Sequence, residues 1–532
     1  MQAPIIIYGA CGMGNDMKKL KMLAFLLCLL MISSIGTMFA FAEDTKADVW
    51  DGTVADSFSS TASGEKGDPI LINSAAEFAY FAKTVNTAES YEDMYLTLNT
   101  DIDLANIPFA PIGGNRKYDF YFSGNFNGNG HTIKGLNLDT TVTNDKNPYV
   151  GLFGIVNKGG VIRNLNVEGS FNANTKEEFG IIAGKVSGGA IINCSVNVNA
   201  NISEYKDSNG TLYVGGIVGI AQDAATIKDC VVKGTISVAG RKLTLNEDGT
   251  ENRVNVVVGG IAGRANSNNA TNSKTVKISN CINQAVLKVT VSNNIYVGGI
   301  VGVNNNLSNP PINDSVITVA LENCVNSGNI VYEGTWSATA YTGGIFGRPM
   351  NGITIKNCYH SGLLPSATGG TYGDKCGIAS HNGKASSVFE NCGTTYFQAF
   401  PSSVLAEQIV NCSTSVSSST VGEAADDIMW TIAENFAADQ KQDQTDKENY
   451  VPGANDKEET PSGGDDISAV DTSETPNETQ PTVENEANAQ NNPDGQNEGG
   501  CGSTVGAASV IMLTVACIGA AAAISVRRSK EN

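Results

Sequence analysis

Seven times along this chain an Asn or Asp stands directly before a Cys, and that recurrence limits the possible fold more than any other feature. The pairs are Asn193-Cys194, Asp229-Cys230, Asn280-Cys281, Asn323-Cys324, Asn357-Cys358, Asn391-Cys392 and Asn411-Cys412, each with an apolar residue within two positions before it. A Gly-rich clause alternates with them. It reads Gly151-Leu152-Phe153-Gly154, Gly215-Gly216-Ile217-Val218-Gly219 and Gly259-Gly260-Ile261-Ala262-Gly263, with copies at 298–302 and 343–347 and looser ones at 180–184 and 377–380. Around each pair the apolar residues alternate with period two, as in Cys230, Val232, Ile236 and Val238, which is the signature of strands. A repeat of three short strands without helical period predicts one coil of a parallel β-solenoid. The chain contains 58 Gly, and most act as punctuation of this repeat.

Asn and Asp tolerate the left-handed backbone region and bond their own backbone, so they suit the turn before each Cys. Stacking the coils should align them as a ladder, with the following residue pointing inward. Leu165 and Leu136 occupy the same slot in two earlier coils, as Ile162-Arg163-Asn164-Leu165 and Ile133-Lys134-Gly135-Leu136. A slot that accepts Leu or Cys favours an interior column of free thiols. Structural disulfides are the second reading, since adjacent strands about 4.8 Å apart allow bridges. Metal binding comes last, because no Cys-x-x-Cys occurs and the chain has only three His. Cys376 alone lies off the register. Slot spacings vary from 20 to 51 residues, so loops grow from one edge, as at 241–253 and 304–314. Nine coils would make a rod of roughly 40 Å.

The expected organisation follows. Residues 1–42 hold an N-terminal extension and a signal peptide, with Met17 as the expected start, Lys18-Lys19-Leu20-Lys21 as its basic region and Ala40 and Ala42 at its cleavage site. A linker covers 43–67, and an N-terminal cap with the first coil covers 68–140. In that cap Ser74-Ala75-Ala76-Glu77 is a capping box, Phe78, Phe81, Ala82 and Val85 form a helical apolar stripe, and a strand is expected over 95–104. The repeats run over 141–420. A C-terminal cap helix is expected at 421–438, from the helical spacing of Ala425, Ile428, Ile432 and Phe436 beside Trp430.

Residues 439–500 contain 16 Asp and Glu against 3 Lys, with few apolar side chains, and read as a disordered acidic stalk. Its ends should lie roughly 45 Å apart. The last segment, 501–532, carries a sorting-like Gly499-Gly500-Cys501-Gly502-Ser503 at its start. An uncharged stretch at 505–526 follows, long enough to span a bilayer. Arg527-Arg528-Ser529-Lys530 behind it should stay cytoplasmic. The net charge of −20 argues against nucleic acid as a partner.

No catalytic constellation emerges. Asp101 and Asp103 share a strand face that could hold Ca²⁺ or a sugar, but a solvated edge with a turn-capping Asp is the favoured reading. His131 reads as a turn donor rather than a base. Arg163, Arg264 and Arg348 fall in different coils and loops with no shared carboxylate. Catalytic, cofactor and metal residues are therefore all expected to be absent, and the protein is expected not to be an enzyme.

The Gly-Leu-x-Gly clause at 151–154, its Gly-Gly-Ile-x-Gly variants, Asp101-Ile102-Asp103-Leu104, Pro111-Ile112-Gly113 and the 126–133 segment together resemble bacterial cell-surface proteins that carry the GLUG motif. The resemblance covers about residues 68–438. It implies a pectin-lyase-like right-handed parallel β-helix, all-β apart from short helical caps, displayed at the cell surface in an adhesin-like role. Some secreted metallopeptidases of the immunoglobulin-A-cleaving type also carry GLUG repeats. They need His-Glu-x-x-His, and none of His131, His360 or His381 is followed by Glu. The expected function is thus a secreted, membrane-anchored rod that binds a glycan or surface protein, its C-terminal helix in the membrane. The alternative is a polysaccharide lyase or glycoside hydrolase on the same scaffold.

Overall fold

A computed structural model describes residues 47–451, apart from short loop segments within that range. The expected signal peptide and membrane span, the sorting-like motif and the stalk beyond residue 451 lie outside the described residues. Four stacked parallel sheets dominate, of 12, 11, 7 and 6 strands. One coil shows the plan. Leu212–Gly215 lies in the seven-stranded sheet, Val218–Gln222 in the six-stranded, Thr226–Lys228 in the eleven-stranded and Val231–Ala239 in the twelve-stranded. The expected three strands per coil are therefore four, because Gly216-Ile217 divides the Gly clause between two sheets. Register is kept from coil to coil: Val196 pairs with Val232, and Val231 with Ile282. The expected alternation holds, with Cys230, Val232, Ile236 and Val238 buried and Lys233 exposed between them. The eleven-stranded sheet passes through all nine expected coils and adds two cap strands, Ile70–Ile72 and Tyr95–Leu98.

The turn residues do what their chemistry predicts. Asn164, Asn193, Asp229, Asn280, Asn323, Asn357, Asn391 and Asn411 all have φ between 52° and 57°, except Asn357 at 50°. Their amides form the ladder: Asn193 Nδ2 donates to Asn164 Oδ1 at 2.7 Å, Asn323 to Asn280 at 3.2 Å and Asn357 to Asn323 at 3.0 Å. Replacing Asn323 with Ala should cost roughly 2–4 kcal/mol, from the left-handed backbone penalty plus two lost amide bonds. Asn323→Gly, which removes only the bonds, should cost less. Urea midpoints of the two variants order these contributions.

Inside the ladder runs the cysteine column. Cys194, Cys230, Cys281, Cys324, Cys358 and Cys392 are buried free thiols, and Cys412 at the last coil is half-buried. Cys376 is buried in the strand Thr371–Cys376, away from the column, as its sequence offset indicated. Leu165 continues the column, since Ser195 N donates to its carbonyl. Leu136 does not. Asn166 pairs with Thr132, which places His131 opposite Leu165 and Leu136 farther along the strand. The Gly128–His131 turn is two residues longer than the Asn-Leu turn, and a count along the sequence cannot see that shift.

The N-terminal cap forms as its pattern requires. Helix α1 (Ala75–Val85) starts at Ser74, whose side chain accepts from Glu77 N, and buries Phe78, Phe81, Ala82 and Val85. Phe81 meets the rings of Phe122, Phe126 and Phe153 at 5.6, 5.7 and 6.2 Å, closing the first coils with aromatic packing. The strand expected over 95–104 breaks into Tyr95–Leu98 and Ile102–Asp103, in different sheets.

The C-terminal helix differs most from expectation. Helix α2 runs over Ser418–Asn449, so residues 439–449, assigned to the stalk, are helical. It does not cover the end of the solenoid. Val421, Ile428 and Ile432 pack on an outward column of Val231, Ile282 and Val325, the residues that directly follow the slot cysteines. Trp430 stands on the far side, 49% exposed, with Nε1 donating to Glu434.

Candidate functional site

The residues singled out in sequence fall at separate places. His131 Nδ1 lies 2.9 Å from Asp101 Oδ1, which also accepts from Thr132 N at 2.9 Å. Burial raises the Asp101 carboxyl, yet the His131 ring and the Thr132 N–H together hold it below its usual value. Asp101 thereby pins the next turn. Asp103 accepts from Ala105 N at 2.9 Å and faces Lys134 at 3.6 Å, the turn-capping arrangement its position implied.

Arg163 belongs to another device. It bonds Asp439 and, through both terminal nitrogens, Asp443 of α2, at 3.0 and 2.7 Å for the latter. Asn435 donates to Asp229 at 2.8 Å, Asn127 donates to Asp443 at 2.9 Å and Lys66 meets Asp446 at 3.0 Å. The helix thus retraces the rod from its late coils to the N-terminal cap, where Tyr450 Oη lies 3.1 Å from Ser63 Oγ. A polar cavity of about 60 Å³ remains beneath it, lined by Arg163, Asn127, Asn129 and Asp443 among others.

Arg264 and Arg348, read from sequence as unrelated, share one column. In the six-stranded sheet the register runs Ile155, Lys185, Ile220, Arg264, Val303 and Arg348. In the seven-stranded sheet beside it runs Tyr149, Glu178, Tyr213, Val257, Tyr296 and Tyr341. The outer walls of these two sheets meet along the Gly clauses. Tyr213, Ile220, Val257, Tyr296 and Val303 form a cluster there that is separate from the main core. Each cation lies over the ring of the preceding coil. Lys185 Nζ is 5.1 Å from the Tyr149 centroid, Arg264 Cζ 4.8 Å from Tyr213, and Arg348 Cζ 5.5 Å from Tyr296 and 4.5 Å from Tyr341. Tyr296 and Tyr341 stack at 5.6 Å. Burial pushes the Tyr296 phenol up, against the pull of Arg348.

The signal for this wall was in the sequence. Tyr stands two residues before the first Gly of four clauses, and a cation directly follows the last Gly of three. It was missed because the two positions meet only after the Gly turn folds one sheet against the other.

The interior also carries titratable groups. Burial pushes the Cys194, Cys281 and Cys358 thiols well up, which keeps them protonated and unreactive. Asn283, Asn326, His360 and Thr394 form a fully buried polar column where earlier coils carry Val167, Val196 and Val232. His360 Nδ1 lies 3.2 Å from Asn326 O, and burial lowers its pKa to about 4. The folded chain therefore keeps His360 neutral at pH values where an unfolded His already binds a proton. Stability should be lost as pH falls from about 6.5 towards 4, by roughly 3 kcal/mol from this group. Urea midpoints at pH 7 and pH 4.5 should differ less in His360→Asn than in the parent chain.

A family model described as the GLUG motif matches residues 210–237. That stretch is one turn of the solenoid, from the strand at Leu212 almost to the end of the strand at Ala239. The chain is 30% identical over 192 residues to a provisionally named Gly-rich membrane protein of Evansella cellulosilytica, covering 29% of this chain and 20% of that one. It is 29% identical over 194 residues to halomucin of Haloquadratum walsbyi, covering 35% of this chain and 2% of halomucin. The chain thus spans a fifth or less of either relative. The Gly215–Gly219 clause and the Asp229-Cys230 pair both fall inside the matched stretch, so this chain carries the GLUG motif as a coil of its solenoid.

Proposed function

We propose that this chain is a cell-surface display module, non-catalytic, whose right-handed rod binds a glycan or a surface protein. The observation that carries the reading is the repetition of one outward wall, a cation over a Tyr ring, in every second coil. A repeated wall suits an extended or multivalent partner, whereas catalysis needs one focused group of residues. The names of its relatives, a Gly-rich membrane protein and halomucin, are in keeping with a place at the cell envelope. The sequence supplies the secretion signal at 17–42 and the anchor at 505–526. Because α2 ends beside Ser63, a tether leaving it would start near the N-terminal cap. The late coils around 388–412 would then point away from the membrane.

Incubating the full-length chain with a glycan array, and reading both retention and product release, tests this reading. Retention of intact glycan is the expected result. Release of shortened products would replace it with a polysaccharide lyase or glycoside hydrolase on the same scaffold.

A further inference from the structure

We propose that the wall holding Arg264 and Arg348 is a binding site for the carboxylate or sulfate groups of an acidic polysaccharide, one group for every two coils. This deepens the glycan-binding reading above and rests on it. The starting point is an unsatisfied charge. Arg264 is only 6% exposed, its Nε has no hydrogen-bond partner, and no ion pair reaches it among the described residues. Tyr213, whose ring lies beneath it, has a buried hydroxyl that is also unpartnered. Two coils on, Arg348 repeats the arrangement, its Nε buried without a partner and its Nη1 no closer than 3.5 Å to Tyr296 Oη. A buried cation is strongly disfavoured unless an anion or good acceptors complete it, and a ring face beneath it is only a partial substitute.

The coil two steps before Arg264 is built differently. Where Lys185 stands in the six-stranded sheet, its coil carries Glu178 on the opposite wall. In the coils of Arg264 and Arg348 that position is Val257 and Tyr341. Neither coil carries a carboxylate at that position, so an anion from outside completes the wall. Arginine offers the planar fork that takes a carboxylate or sulfate through two parallel bonds. The two guanidiniums are two coils apart, about 9.6 Å. That is close to the repeat of two sugars in an extended chain. A periodic acidic polymer fits this periodicity better than a single peptide would. The net charge of −20 opposes the approach of any polyanion, so binding should depend on these two side chains rather than on a general basic field.

The test titrates the full-length chain with polygalacturonate, dextran sulfate and neutral dextran, which separates carboxylate from sulfate and both from uncharged sugar. At least one acidic polymer should bind, and dextran should not. Arg264→Gln and Arg348→Gln should each weaken binding about tenfold or more. Val257→Glu is the complementary variant, because it places an internal carboxylate on the wall facing Arg264. This variant should keep the circular dichroism spectrum of the parent, at some cost in its urea midpoint, and still lose affinity. Lys288→Gln, in an exposed pair with Glu333 on another sheet, should bind as the parent does. Unchanged affinity in Arg264→Gln and Val257→Glu would overturn the proposal. Binding of neutral dextran alone would also overturn it while leaving the display reading intact, and binding of no glycan on the array either would remove both.

Discussion

Excision of Ser418–Asn449 is expected to leave a solenoid that still forms but self-associates and unfolds at lower urea. The helix buries Val421, Ile428 and Ile432 on the outer column of Val231, Ile282 and Val325. Each such side chain contributes roughly 1.5–3 kcal/mol when removed from water. Ordering 32 helical residues offsets much of that, so the net loss should be on the order of 3 kcal/mol. Self-association follows because the bared column is a contiguous apolar stripe on a rod flank. Sedimentation velocity and the urea midpoint measure the two effects. A monomeric truncated chain with an unchanged midpoint would mean that the helix contributes nothing to the rod.

A gentler variant separates the helix from its ionic contacts. Asp439→Asn with Asp443→Asn leaves Arg163, 15% exposed at its side chain, beneath α2 without a counter-charge. Removing one side of a buried pair costs more than the pair itself contributes. The second half of the helix should therefore lift away while Val421 and Ile428 stay docked. Hydrogen exchange should rise in residues 435–449 before it rises in 418–432.

Gly298→Ala should be among the most damaging single methyl additions in the rod. A Cβ at that position would overlap the Val301 carbonyl oxygen and the Gly347 amide of the next coil. Both are backbone atoms, so no side-chain rotation relieves the clash, and the chain must open the turn between two sheets. We expect a loss of roughly 2–4 kcal/mol. Gly422→Ala is the matched control, since nothing lies within 4 Å of its Cβ position and it sits inside α2. That substitution should stabilise by about 0.5–1 kcal/mol. Thermal or urea unfolding of the two variants should move in opposite directions.

Much of the rod was readable along the chain because its rules are local. The turn residue before each Cys must tolerate a left-handed backbone, and Asn and Asp do so wherever they stand. Period-two alternation fixed which side chains enter the core, and Cys230, Val232, Ile236 and Val238 entered it. The capping box at Ser74 formed from contacts three residues apart. Register errors arose where a turn changed length, as at Gly128–His131. That insertion moved Leu136 out of the cysteine column without disturbing the hydrophobic pattern.

The candidate site was less legible for the same reason in reverse. Arg264 and Tyr213 are 51 positions apart in sequence and stack only because consecutive coils lie in register. The apolar residue after each slot cysteine, Val231, Ile282 or Val325, looked like one more half-buried strand position. Only the return of α2 along the flank gave that column a partner. The division at residue 438 failed similarly, since the acidic composition that suggests disorder also supplies Asp439 and Asp443 to Arg163.

The sequence by itself therefore determined the coil: its strands, its turns, its inward column and the motif it belongs to, because each depends on residues a few positions apart. Tertiary structure alone decided what lies on the outside of the rod. Which flank α2 covers, which cations stack on which rings and which guanidiniums lack a carboxylate all depend on side chains from different coils. Stacking brings those coils to within about 4.8 Å of one another, a proximity that sequence spacing cannot express once loop lengths vary.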